Sequence, residues 1–96
     1  MTSIEPAIAI FHGSAGNRLI ADVYGEEGPV VLLLHGGGQT RHAWRETAER
    51  LAREGFVAYA LDQRGHGDSD WSAEGDYSLT AFSADAAAVA EVLTTR

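Results

Sequence analysis

The chain has 96 residues, of which 45% are apolar, with no cysteine, no lysine and a formal net charge of −7. This length accommodates one small domain, and the absence of cysteine excludes disulfides, thiolate zinc sites and a cysteine nucleophile. The absence of lysine excludes Schiff-base chemistry and the lysine of a Walker-type phosphate loop. Because the acidic excess opposes binding to phosphate backbones and anionic membranes, we expect no nucleic-acid partner and no membrane partner.

The N-terminus shows no basic-then-apolar signal pattern, and no stretch approaches the roughly 20 apolar residues of a membrane span. We therefore expect a cytoplasmic protein. The four histidines lack the H-x-x-x-H or H-x-H grouping that is typical of metal ligands, so no metal site is expected either.

The first part of the chain is predicted to form a β-hairpin. Residues 7–12 are an apolar run that ends in a glycine-rich turn. Residues 18–24 then alternate, with Leu19, Ala21 and Val23 on one face. Two strands joined by a turn are the simplest interpretation of this pattern.

The middle of the chain has the pattern of a βαβ unit. Strands are predicted over residues 30–35 and 56–61, because 30–34 and 56–61 are apolar runs, typical of strands that are covered on both faces. Residues 41–54 between them have helical apolar spacing, with Thr40 as a candidate N-cap and Gly55 as the stop. Strands joined in this way are expected to be parallel, with a right-handed crossover.

A final helix is predicted over residues 79–94, with Ser78 as its N-cap. It follows a polar, glycine-rich loop, and the order of elements predicts an α/β fold. Helical spacing predicts that one face of this helix is apolar, formed by Leu79, Phe82, Ala86, Val89, Ala90 and Leu93.

Glycine-rich segments follow both predicted parallel strands, at the sheet edge where ligands bind in such folds. The first is 36–38 and the second contains Gly65 and Gly67. One interpretation is an NAD(P)-binding Rossmann enzyme, in which Asp62 after the second strand would bind a ribose hydroxyl. The third glycine of that pattern is replaced by Arg41, which would obstruct close helix–strand packing.

A second interpretation accounts for more residues. Residues 31–38 (VLLLHGGG), with Trp44 on the next helix, resemble the loop after strand 3 of the α/β-hydrolase superfamily. Residues 62–69 (DQRGHGDS) match the D-x-R-G-x-G-x-S turn after strand 4 of that superfamily. The flanking segments 39–44 and 70–71 are most similar to the branch of haloperoxidase-type esterases and epoxide hydrolases. The resemblance covers nearly the whole chain.

The resemblance implies a hydrolase that stabilises a tetrahedral oxyanion with two backbone N–H groups, one of them from the loop after strand 3. By position, Gly37 resembles that oxyanion-hole donor and Gly38 is the alternative, whereas a mere tight turn into the helix is the purely structural explanation. Glycine suits the task because the backbone must turn sharply beside the ligand. The resemblance also implies a small-molecule substrate and no cofactor.

The other residues of the two motifs have supporting roles by resemblance. Gln39 and Trp44 are candidates for the substrate pocket, although a solvated loop glutamine and a core tryptophan explain them as well. Loop-bracing roles are expected for His35, Gly36, Asp62, Arg64, Gly65 and Gly67.

No residue of the chain is predicted to be the catalytic nucleophile. Ser69 has Trp71 where a nucleophile elbow needs its second glycine, and Ser14 has His12 in place of the first. The chain order of the family implies that nucleophile, acid and histidine all lie beyond residue 96. The 96-residue chain by itself is therefore predicted to be inactive.

The resemblance implies a single incomplete three-layer αβα domain over residues 1–96, the N-terminal part of an α/β-hydrolase fold. Strand 30–35 would then be an open sheet edge, apolar on both faces and prone to pair with other chains. Two hypotheses follow: a hydrolase whose sequence is truncated here or survives as a gene remnant, or a complete chain that acts as a binding or assembly module through this edge.

Overall fold

The computed structural model describes residues 5–95, so residues 1–4 and 96 of the predicted domain lie outside the described part. The predicted hairpin, βαβ unit and final helix are confirmed. The elements are the strands β1 (Ala7–His12), β2 (Arg18–Tyr24), β3 (Val30–Leu34) and β4 (Val57–Leu61), and the helices α1 (Arg45–Arg53) and α2 (Leu79–Thr94).

The four strands form one mixed sheet in the order β1-β2-β4-β3. β2 is antiparallel to both β1 and β4, whereas β3 and β4 are parallel, with Leu34 opposite Leu61. Every residue of β4 is buried, so this strand is the centre of the fold. Because Leu34 and Leu61 end their strands side by side, the two glycine-rich loops that follow begin at the same sheet edge.

The two helices pack on opposite faces of the sheet, because neighbouring residues of a strand point to opposite sides. Tyr59 and Leu61 of β4 face α2, where they meet Val89. Ala58 faces α1 and packs with Ala48. Within residues 5–95, neither helix combines the length and apolar character that crossing a bilayer requires.

The helix predicted over 41–54 begins with one turn of 3-10 helix, Arg41–Trp44, before α1 starts. Thr40 Oγ1 caps this turn by accepting a hydrogen bond from the N–H of His42. The N–H of Arg41 instead donates to a carboxylate oxygen of Asp62, at 2.6 Å. The first N–H groups of a helix have no partner within the helix, so an external acceptor fixes where this helix begins.

The apolar face predicted for α2 is wrong at Leu79, whose exposed fraction is 81%. The buried residues of this helix are Ala81, Asp85 and Val89, spaced four residues apart. Asp85 forms a buried ion pair with Arg64 beneath the helix. Because a buried carboxylate needs its counter-ion, this ion pair turns the row containing Asp85 toward the sheet and leaves Leu79 in solvent.

Two leucines that differ in burial test this packing. Leu61 is 1% exposed, so Leu61→Ala is expected to lower the free energy of unfolding by about 2–5 kcal/mol. Leu79→Ala is the matched control and is expected to change it by less than about 0.5 kcal/mol. Urea denaturation measures both values, and equal losses would contradict the described core.

Candidate active site

A tight turn from Gly36 to Gln39 follows β3, closed by the N–H of Gln39 donating to the carbonyl oxygen of Gly36 at 3.2 Å. Gly38 has φ 78°, the left-handed conformation that the third position of a type II turn requires. Side chains accept hydrogen bonds from two glycine N–H groups of this turn. Gly36 donates to Oε1 of Gln39 at 3.0 Å, and Gly38 donates to Nε2 of His66 at 3.3 Å.

The N–H of Gly37 differs from its two neighbours because it has no hydrogen-bond partner within residues 5–95. The residue is exposed, and a Cβ built on it would meet no atom within 4 Å. Of the three consecutive glycines, Gly37 is therefore the one whose N–H is available to a ligand.

His35 joins the loop after β3 to the loop after β4. Its buried ring accepts a hydrogen bond at Nε2 from the N–H of Gln63, at 3.0 Å. An accepting Nε2 places the ring proton on Nδ1, which donates to the carbonyl oxygen of Gly36 at 2.8 Å. The side chain of Gln63 donates in return to the carbonyl oxygen of His35 at 2.7 Å.

Asp62 follows β4, and its carboxylate is fully buried. It accepts hydrogen bonds from the N–H groups of Arg41, at 2.6 Å, and Asp68, at 3.0 Å, and from Nη1 of Arg41. Burial would raise the pKa of Asp62, but these donors outweigh burial and lower it below the ordinary value. A Cβ on Gly67 would lie 2.3 Å from this carboxylate, so only glycine fits there.

The guanidinium of Arg41 is the counter-ion of the Asp62 carboxylate. The Arg41 side chain is buried, and its Nε lies 3.0 Å from the carboxylate of Asp22 on β2. Its Nη1 pairs with Asp62 and, at 2.9 Å, with Asp68. One guanidinium thus joins β2, the start of the first helix and the loop after β4.

Arg64 and Asp85 form a second buried ion pair beside the first. Nε and Nη2 of Arg64 each donate to one carboxylate oxygen of Asp85, at 2.7 and 2.8 Å. This bidentate geometry is among the strong hydrogen-bonding arrangements in proteins. Nη1 of Arg64 donates to one loop carbonyl, that of Asp76, at 3.0 Å. Burial would raise the pKa of Asp85, but Arg64 and the N–H of Ser14 outweigh it and lower the pKa.

The hydroxyls of Ser69 and Ser14 both take part in structural hydrogen bonds. Ser69 donates to the carbonyl oxygen of Asp62 at 2.6 Å and accepts from the N–H of Ile20 at 2.8 Å. Ser14 donates to Asp85 at 3.2 Å and accepts from Arg64 at 3.3 Å. Among the described hydrogen bonds, neither hydroxyl meets a histidine, so neither has the base that an activated serine needs.

Three further residues selected from the sequence lie in supporting positions. Trp44 packs in the core between the sheet and α1. Gly65 has φ 77°, and a Cβ there would lie 2.5 Å from the ring of Tyr77. The side chain of Gln39 accepts the hydrogen bond from the N–H of Gly36 that is described above. A groove of about 620 Å³ lies elsewhere, between the β1–β2 turn and the N-terminal half of α2.

Residues 29–94, more than half of the chain, match the family described as alpha/beta hydrolase fold. The chain belongs to the α/β-hydrolase family. Membership in this family replaces the NAD(P)-binding interpretation. The structure gives the physical reason, because the carboxylate of Asp62 is occupied by Arg41 and so is not free to bind a ribose.

The relatives of this α/β-hydrolase chain include esterases and epoxide hydrolases. An esterase of Mycobacterium tuberculosis is 44% identical over 55 residues, which are 57% of this chain and 17% of that protein. Protein phosphatase methylesterase 1 of Mus musculus is 40% identical over 70 residues, 72% of this chain and 18% of that protein. The chain therefore spans less than a fifth of the length of these relatives.

Solved structures give the same assignment. The crystal structure of an epoxide hydrolase from Vigna radiata has a TM-score of 0.85 and 30% identity, over 94% of this chain and 29% of that chain. An esterase from Exiguobacterium antarcticum has a TM-score of 0.81 and 28% identity, over 90% of this chain and 31% of that chain. The described elements correspond to the N-terminal portion of the α/β-hydrolase fold.

Sequence reasoning missed three residues that hold this α/β-hydrolase loop region together. Arg41 enters the sequence interpretation only as a misfit to the dinucleotide pattern, although a cation in the first turn of a helix opposes the helix dipole and is itself a signal. Asp22 interrupts the apolar run that follows Arg18 in β2. Asp85 interrupts an alanine-rich helix at the spacing of its buried face. Each charge on an apolar face indicated a buried partner, but not which one.

The lowered pKa values of Asp62 and Asp85 predict how stability depends on pH. A carboxylate whose pKa is lowered on folding stabilises the folded state above its unfolded value, about 3.9, and this contribution is lost as pH falls through the folded value. The free energy of unfolding is therefore expected to fall steadily in the acid range.

Asp85→Asn should make this acid decline shallower and cost about 3 kcal/mol at neutral pH, because it leaves Arg64 buried without its counter-ion. Glu91→Gln, an exposed carboxylate on the same helix, is the control. Denaturant titrations between neutral pH and pH 3 measure both effects. An unchanged acid slope in Asp85→Asn would contradict the assigned role.

Proposed function

We propose that this chain supplies one of the two oxyanion-hole donors of an α/β-hydrolase that cleaves a carboxylic ester or a related bond. The observation that carries the proposal is the unpartnered N–H of Gly37, between two glycines whose N–H groups are already occupied. It favours Gly37 over Gly38, because the Gly38 N–H donates to His66 and the Gly37 N–H does not.

Attack of a nucleophile on a carbonyl carbon places negative charge on the carbonyl oxygen. A backbone N–H that already points to that oxygen stabilises the charge without reorganising, which is why such donors contribute strongly to catalysis. Three contacts preorganise the turn around Gly37: the side chains of Gln39 and His66, and the ring of His35. The free donor is thereby fixed relative to the ends of β3 and β4.

The bracing residues have a common task in this proposal, which is to hold two loops at one sheet edge. The first loop follows β3 and the second loop follows β4. Asp62 sets the start of the first helix, and Gly67 gives its carboxylate room. Arg64 ties the second loop to α2, and Gly65 lets the Tyr77 ring pack against that loop. Gly36, together with His35, links the turn to the second loop.

The remaining catalytic groups are proposed to lie beyond residue 96, in the family order of nucleophile, acid and histidine. The names of the relatives, an esterase, a methylesterase and an epoxide hydrolase, support ester or epoxide bonds as the substrate class. Reading the DNA after codon 96 tests this directly. An in-frame strand followed by G-x-S-x-G, or by an aspartate at the same place, supports the proposal, and unrelated sequence contradicts it.

Two substitutions at Gly37 distinguish the contribution of its N–H to catalysis from that of its missing side chain. Gly37→Pro removes the N–H at a turn position where proline is common, whereas Gly37→Ala keeps the N–H and adds a methyl group into open space. The substitutions are to be made in a protein that contains both this loop and the nucleophile. There, Gly37→Pro is expected to lower kcat by about 10²–10³-fold. Gly37→Ala should leave kcat within a few fold of the original. Equal effects on kcat would contradict the role of the N–H.

The 96-residue chain alone is proposed to be inactive, because the hydroxyls of Ser14 and Ser69 are both held in structural hydrogen bonds. We expect no hydrolysis of p-nitrophenyl acetate above the buffer rate. Ser14→Ala and Ser69→Ala are the controls. Turnover that survives both substitutions would reveal a nucleophile elsewhere in the chain.

Self-association through β3 is a second candidate function. Within residues 5–95 this strand pairs only with β4, and Val30 and Leu34 on it are 48% and 38% exposed. An exposed apolar edge strand offers unpaired backbone groups to a second copy of the chain. Sedimentation should then show a dimer that Leu32→Pro reduces to monomer, because proline removes a backbone donor of the strand. A folded monomer of the unaltered chain would exclude this function.

A further inference from the structure

His66 lies between the two loops at the edge of the sheet. Its Nε2 accepts the hydrogen bond from the N–H of Gly38 at 3.3 Å, and its Nδ1 lies 3.0 Å from the carbonyl oxygen of Arg64. The ring also contacts those of His35 and Phe82, at centroid distances of 4.9 and 6.1 Å. His66 is thus the side chain of the second loop that reaches the backbone of the glycine turn.

These two contacts specify one form of the imidazole. A nitrogen that accepts an N–H hydrogen bond carries no proton, so the ring of His66 is neutral and Nδ1 bears the hydrogen that it donates to Arg64. Protonation of Nε2 would direct a second N–H at the N–H of Gly38. Two donors cannot share a hydrogen bond, so the contact exists only with the neutral ring.

We propose that His66 is a positioning residue that selects the oxyanion donor, by occupying the N–H of Gly38 and leaving that of Gly37 free. Without this contact, the turn has two adjacent unpartnered N–H groups, and its remaining link to the second loop runs through His35, which contacts Gly36 and Gln63. The inference rests on the proposed role of the turn. The test of the inference does not depend on that role, because it measures the exchange of amide protons and not hydrolysis.

The charged and titratable groups around His66 do not compete for the hydrogen bonds of its ring nitrogens. From the end of β3 it faces His35, whose Nε2 is also an acceptor, so both rings of the pair are neutral. From α2 it faces Phe82. The charged residues of its own loop are turned to other partners, Arg64 to Asp85 and Asp68 to Arg41.

Amide hydrogen exchange of the 96-residue chain measures the contact directly. In the neutral range, exchange at Gly38, corrected for intrinsic rates, is expected to be about three- to ten-fold slower than at Gly37, the ratio that a single hydrogen bond sustains. This difference should disappear at acid pH, with the same midpoint as the ring resonances of His66. A purely structural role predicts no such coincidence.

Two variants distinguish the acceptor from the ring. His66→Gln places an amide oxygen near the position of Nε2, so the exchange difference should persist and become independent of pH. His66→Phe keeps an aromatic ring against His35 and Phe82 but has no acceptor, so the difference should be lost. His12→Gln, at an exposed histidine on β1, is the control and should behave as the original chain.

An exchange difference that survives both acid and His66→Phe would overturn the proposal. If His66→Phe fails to fold, which loss of the protected amide of Ile20 would show, His66→Gln decides the question alone. A pH-dependent difference in His66→Gln would then contradict the assigned role. Failure of the hydrolase proposal looks different, because it would show as equal effects of Gly37→Pro and Gly37→Ala on kcat and would leave these amide rates as they are.

Discussion

The buried carboxylate of Asp62 is the interaction on which the described site depends. It lies at the end of the central strand, where its two oxygens accept hydrogen bonds from the N–H of Arg41, the N–H of Asp68 and the guanidinium of Arg41. A carboxylate without these donors would be costly to bury, and the donors without the carboxylate would lose their acceptor. One side chain therefore fixes where the first helix starts and how the second loop folds, which in turn explains why Gly67 must be glycine.

The glycine turn depends on this arrangement in two ways. The parallel pairing of β3 with β4 brings both loops to one edge, and the rings of His35 and His66 then connect them through backbone atoms. Because the hydrogen bonds of these two rings all end on a backbone N–H or carbonyl, the geometry of the turn is set by the second loop as much as by its own sequence. Rigid support of this kind is what an electrostatic donor needs, since its value lies in being in place before charge develops.

Much of this could be predicted from the sequence, because the signals were local. Apolar runs, helical spacing and the two glycine motifs determine the elements and bring Gly37 and Asp62 to one edge. The ion pairs were beyond sequence reasoning, since Arg64 and Asp85 are 21 positions apart and a charge on an apolar face does not name its partner. The same gap explains the error at Leu79, because helical spacing alone counts a buried aspartate as polar and so includes Leu79 in the buried face.

A double-mutant cycle between Arg41→Met and Asp62→Asn, followed by urea denaturation, tests the central claim most directly. The two changes should be strongly non-additive, with a coupling of about 2–3 kcal/mol, because each one alone removes the ion pair between Arg41 and Asp62. The contacts of Arg41 with Asp22 and Asp68 are lost in both arms of the cycle and therefore cancel. The exposed pair Arg18 and Asp70 is the internal reference, for which a coupling below about 1 kcal/mol is expected. A coupling between Arg41 and Asp62 no larger than this reference would contradict the account.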